Sequence, residues 1–135
     1  MALFSNLGNY KNFGLLIIRL GLGAMFIYHG LPKLMGGPHK WEGLGTATNY
    51  VGIHFLPMMW GLLAAATETF GGFLIVLGLV FRPVCLLLVI DLVIAAIFTY
   101  DKSGSFLDAT HAIEDAIMFA GLLFVGPGKY SVDKK

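Results

Sequence analysis

The sequence predicts an all-α integral membrane protein: an antiparallel four-transmembrane-helix bundle with a short amphipathic helix in the loop between helices 1 and 2. Three observations predict it. Hydrophobic residues make up 57% of the 135 residues and charged ones only 13%, with a mean hydropathy of +0.79, whereas a soluble domain carries roughly 25% charged residues. The apolar residues gather into four stretches of about 17–25 residues, the length that crosses a hydrocarbon core of ~30 Å. Helix-start prolines and short polar turns separate those stretches.

The first span is read as Phe13–Leu34. It contains Arg19 and no small-x-small cleavage site follows it, so it reads as a retained helix rather than a signal peptide. Residues 35–56 form the one long connection, Gly-rich, with Trp41, Leu44, Thr48 and Val51 at helical spacing. This segment predicts an interfacial helix anchored by Trp41 and Tyr50. The second span, Pro57–Phe81, meets the third, Pro83–Tyr100, through "FRP", which forces a hairpin. A polar turn, "YDKSGSFLD", leads to the fourth span, Ala109–Val125, which ends at "GPGKY".

Net charge is +1 and no basic cluster is present, so nucleic acid is not an expected partner; the lipid bilayer is. Cys85, the only cysteine, excludes dithiol–disulfide chemistry within the chain. Lys11, Arg82, Lys129, Lys134 and Lys135 fall on one side of the four spans, and Lys33, Lys40 and Lys102 on the other. This bias predicts a multi-pass protein of the inner (cytoplasmic) membrane with both termini cytoplasmic.

Ionisable residues at membrane depth are functional-site candidates by default. Counting along the helices puts Arg19 ~9 Å and Asp91 ~12 Å from the inner face, and Glu68 ~16 Å from the outer face. These three make one expected layer, with Arg19 paired to Glu68 or Asp91. Gly61, Ala64, Ala65, Gly71 and Gly72 share the stripe of Glu68, which marks a closely packed face. On the first helix Arg19, Gly23, Phe26, Gly30 and Lys33 align. His29, with His111 and Glu114 in the first turns of the fourth helix, makes an outer layer, and His29 is expected to pair with Glu114 or Asp115. The plainer alternatives are a snorkelling Arg19, a protonated and merely hydrogen-bonded Asp91, a structural Arg–acid pair and an interfacial His29.

The pieces "IIRLGLGAMFIYHGLPKL", "TETFGGFLIVLGLVFRP" and "GPGKYSVD" occur together and in this order. In them the chain resembles the DoxX family of small four-helix membrane proteins, related to the membrane subunit of thiosulfate:quinone oxidoreductase. The resemblance covers nearly the whole chain, so residues 1–135 are expected to form a single DoxX-like transmembrane domain. It implies a membrane subunit of an oxidoreductase system that binds quinone or a similar apolar redox ligand. His29 and Glu114 are then the candidate proton-handling residues. Arg19, Glu68, Asp91, His111 and Trp41 are the candidate ligand-binding residues, with the Trp41–Val51 segment as a cap over the outer layer. No flavin fingerprint, haem-attachment motif or cysteine ligand set is seen, so electrons would come from a partner oxidoreductase subunit. The alternatives are a non-catalytic assembly module that recruits a soluble oxidoreductase, and a small-molecule or proton transport bundle, which would need a homo-oligomer. A metal or haem site on His29, His111 and Glu114 is a further alternative.

Overall fold

The computed structural model describes residues 3–135, apart from the side chains of Tyr50 and Val51. Among these residues it is all-helical, with no strand. A 3₁₀ turn, Ser5–Tyr10, leads into α1, Lys11–Met35. The long connection holds α2, Pro38–Gly45, continued by a 3₁₀ turn, Thr46–Val51. Then follow α3, Pro57–Leu77, α4, Phe81–Ser103, and α5, Phe106–Val125. Three helices are long and apolar enough to cross a membrane: Ser5–Met35, α3 and α4, with 18-residue hydropathies of 1.6, 1.5 and 2.4. The fourth expected span forms as α5, but its 20 residues include Asp108, Glu114 and Asp115, which set it apart from the other three.

Local chemistry sets the boundaries. Pro57 opens α3, where its missing N–H breaks no helical bond. The expected second span runs to Phe81, but α3 stops at Leu77 because Gly78 turns left-handed (φ 69°), its N–H donating to the Ile75 carbonyl. α4 begins at Phe81, ahead of Pro83. The Asp133 carboxylate accepts the Val80 and Phe81 N–H groups (3.1 and 2.8 Å), satisfying donors that a helix start leaves orphaned. That cap comes from 52 residues away in the chain, beyond the reach of local pattern.

Glycines let the helices touch. Arg19 lies against Ile75 and Val76, Gly23 against Gly72, and Gly30 against Thr69, so residue number rises along α1 as it falls along α3. A Cβ at Gly30 would stand 2.6 Å from Thr69 Oγ1, and one at Gly72 would stand 2.7 Å from the Gly23 carbonyl oxygen. α2 docks on the start of α3, with the Trp41 carbonyl against Gly61 and the Pro57 carbonyl against Gly45. α4 packs along α5, and Phe81, Cys85, Leu88, Phe119 and Leu122 form the core with Ile75 of α3.

α1 and α5 have no Cα atoms within 8 Å of each other among the described residues. Side chains bridge them instead: the Phe26 and Phe119 rings meet edge to face with centroids 5.2 Å apart. Outside the core the surface is apolar, with Ile17, Phe70, Phe73, Leu86 and Leu87 exposed. Such a continuous apolar exterior suits lipid and would aggregate in water.

Candidate functional site

Arg19 is 2% exposed, and the structure gives it carbonyl partners. Its Nε donates to the Ile75 carbonyl (3.1 Å) and Nη2 to that of Val76 (2.7 Å). Nη1 donates to the carbonyls of Pro127 (3.2 Å) and Tyr130 (2.8 Å). The expected pairing of Arg19 with Glu68 or Asp91 is therefore replaced. The last carbonyls of a helix lack intrahelical donors and carry the negative end of its dipole, so they answer a buried guanidinium without an acid. Glu68 lies seven residues before Ile75, roughly 10 Å further along the axis.

Around Arg19 the C-terminal segment folds back over the bundle end. The Val132 and Asp133 N–H groups donate to the Leu77 and Gly78 carbonyls, each at 3.0 Å. The Lys129 N–H donates to Asn12 Oδ1 (2.9 Å), and Arg82 Nη1 caps α5 through the Leu123 and Phe124 carbonyls (2.6 and 2.9 Å). This end of the molecule is a structural knot, and Arg19 is its centre.

Glu68 takes a different cation. Lys33 Nζ stands 3.0 Å from Glu68 Oε2 and 3.3 Å from Oε1. The Glu68 side chain is 10% exposed and that of Lys33, in the last turn of α1, 34%, so the pair runs from the end of α1 into the interior. Val84 and Leu88 of α4 pack against Gly71 of α3, so that one turn away Asp91 comes level with Glu68, and Glu68 and Lys33 both act on its carboxyl electrostatically. Asp91 Oδ2 is buried with no donor among the described residues. Lys33 was absent from the sequence-derived site. Its signal was its place on the α1 stripe with Arg19, Gly23 and Gly30, although a lysine near a helix end reads first as an interfacial charge.

Trp41 belongs to this second cluster. Its Nε1 donates to the carbonyls of Lys33 (3.1 Å) and Leu34 (3.2 Å), capping α1 after Pro32. Neither α2 nor the 3₁₀ turn after it brings a Cα within 8 Å of α5. The expected cap over the histidines therefore covers α3 and α4 instead, because Gly45 and Gly61 let α2 settle there. The Tyr50 anchor and the Val51 side chain lie outside the described residues.

The histidines do meet. The His29 and His111 rings stand 6.2 Å apart, nearly perpendicular, and His29 also contacts the Tyr28 ring at 5.7 Å. His111 Nδ1 is 3.3 Å from Asp115 Oδ2, one helical turn on. Asp115 therefore pairs with His111 and not with His29 as expected: His29 makes no ion pair among the described residues, and neither does the exposed Glu114. The α5 helix carries His111 and Asp115 on the side facing α1, four residues apart. A hollow of about 570 Å³ lies beside His29, lined by Ala24, Ile27, Tyr28, Leu31 and Pro32. An apolar groove of about 670 Å³ runs between α4 and α5, with Val93, Ile97, Tyr100, Ile113 and Ile117 among its walls. Among the described residues, no three of the His, Cys, Asp and Glu side chains converge to hold a metal ion.

Apolar helices with ionisable groups gathered between them define an α-helical membrane protein with a charged interior. A model of the DoxX family matches residues 14–101, and the chain belongs to that family. It is similar to an uncharacterised protein of Haemophilus influenzae, 28% identical across 97% of this chain and 96% of the relative. It is also similar to an uncharacterised membrane protein of Mycobacterium tuberculosis, 31% identical across 87% of this chain and 78% of the relative. No solved structure matches the chain.

Proposed function

We propose that the chain is the membrane subunit of an oxidoreductase system and takes a quinone, or a similar apolar redox ligand, where α1 faces α5. The observation that carries this reading is the His29–His111 pair, its rings 6.2 Å apart at a seam that no backbone contact closes. A quinone needs donors for its carbonyl oxygens and an apolar path for its tail. His29 and His111 supply the first; the hollow of Ala24, Ile27 and Leu31 beside His29 supplies the second. When bound, the quinone provides the redox chemistry, with electrons from a partner subunit.

The chain's own residues handle the proton. Asp115 Oδ2 stands 3.3 Å from His111 Nδ1 and fixes the side of the ring that faces it, which leaves Nε2 to meet a quinone carbonyl. His29 stands beside it as the second donor, and Glu114, exposed next to Asp115 on α5, is a further carboxylate at the same end of the helix. In this reading α1, α3, α4 and α5 all cross the inner membrane as an antiparallel bundle, with both termini cytoplasmic and α2 at the outer surface. Two features support it: α5 packs along α4 after a connection of only residues 104–105, and the Lys/Arg bias has the required sign.

The test is the quinone content of protein purified from native membranes in mild detergent, read by mass spectrometry. Wild type should carry quinone near one per chain. His29→Ala with His111→Ala should carry about tenfold less, equivalent to about 1.4 kcal/mol, while keeping its helical circular dichroism. Equal quinone in both proteins, or none in wild type, would overturn the reading in favour of an assembly module.

A further inference from the structure

We propose that Glu68 and Asp91 form a proton-binding site between α1, α3 and α4, reached from the Lys33 end of α1. The inference is independent of the histidine seam, because the two clusters share no residue. It begins with a donor deficit. Asp91 Oδ2 is buried and no donor reaches it among the described residues. Across the α3–α4 packing, where Gly71 meets Val84 and Leu88, the next turn sets Asp91 opposite another carboxyl, Glu68. Two ionised carboxylates offer each other only acceptors and repel, whereas one proton between them turns the same contact into a hydrogen bond.

Charge counting gives the same result. The charged groups facing this point are Lys33 from α1, Glu68 from α3 and Asp91 from α4, while α2 contributes the uncharged indole of Trp41 on the Lys33 and Leu34 carbonyls. One cation against two carboxylates leaves a net negative charge in apolar surroundings, and a single bound proton makes the cluster neutral. A metal cation is the poorer occupant, because the Lys33 ammonium already lies 3.0 and 3.3 Å from the two Glu68 oxygens. Lys33 lies in the last turn of α1, beside Trp41 of α2, and is the more exposed partner of Glu68, so the proposed proton route enters from the α2 end. Binding is simple protonation: one carboxylate oxygen gains the proton, and the other carboxyl accepts its hydrogen bond.

Infrared spectroscopy of the full chain in lipid nanodiscs at neutral pH reads this directly, through the C=O stretch of a protonated carboxyl. Wild type should show the band, and it should shift in D₂O as the proton exchanges. Asp91→Asn and Glu68→Gln should each abolish it, since each leaves one acid opposite Lys33. Lys33→Met should strengthen it, because two acids without a cation take up two protons. If the asparagine variant fails to fold, wild type and Lys33→Met still decide the matter. Absence of the band from wild type, or its survival in both acid variants, would overturn the site. A band unmoved by D₂O would overturn the access route.

Discussion

At the scale of single residues, Arg19 shows what a buried charge needs. Its guanidinium carries a fixed fork of five N–H donors, and four hydrogen bonds use them on helix-end and tail carbonyls. Arg19→Met would strand those acceptors at a cost of about 1–3 kcal/mol for each that stays buried. The expected loss is at least ~3 kcal/mol, read from unfolding in detergent, with faster trypsin cleavage after Lys129 as the tail comes loose. Arg19→Lys should recover part of this, since an ammonium keeps the charge but not the fork. Unchanged stability in Arg19→Met would remove Arg19 from the centre of that knot. Sequence alone marked Arg19, Glu68 and Asp91 as buried ionisable residues but mispaired them. Depth can be counted along one helix, whereas a partner depends on how two helices slide against each other. Backbone carbonyls also carry no residue letter, so they are invisible as candidate partners.

At the scale of elements, the long helices were legible because apolar stretches of membrane length and turn residues are local signals. The ends of α3 and α4 were less so, since Asp133 acts across the chain. The glycines divide into those that packing needs and those it does not. Gly30→Ala places a methyl 2.6 Å from Thr69 Oγ1 and 2.7 Å from the Thr69 nitrogen. It should push α1 from α3 and cost about 1–3 kcal/mol. Gly21→Ala meets nothing within 4 Å and should be neutral or slightly stabilising. Paired thermal unfolding measures the difference, and equal midpoints would mean that the α1–α3 approach is not what Gly30 secures. Asp133→Ala removes the cap of α4 and should cost about 0.5–2 kcal/mol in the same assay.

At the scale of the whole molecule, the proposed topology puts α2 outside and the C-terminal segment inside. In a chain with Cys85 replaced, Gly43→Cys should react with an impermeant maleimide in intact cells, and Asp101→Cys should react with it too. Gly43 suits the purpose because nothing lies within 4 Å of its would-be Cβ, whereas Gly45 faces the Pro57 carbonyl. Lys129→Cys should react only after the membrane is opened, and the reverse pattern would invert the orientation. The fold-back of residues 127–133 onto α1 and α3 also has a consequence in time. Two of the four acceptors of Arg19, on Pro127 and Tyr130, are made 108 and 111 residues after it. Until the ribosome has finished those residues, the first helix carries a guanidinium only partly answered. Insertion of this helix is therefore provisional, and the nascent chain stays open to rearrangement until residues 127–130 close over it.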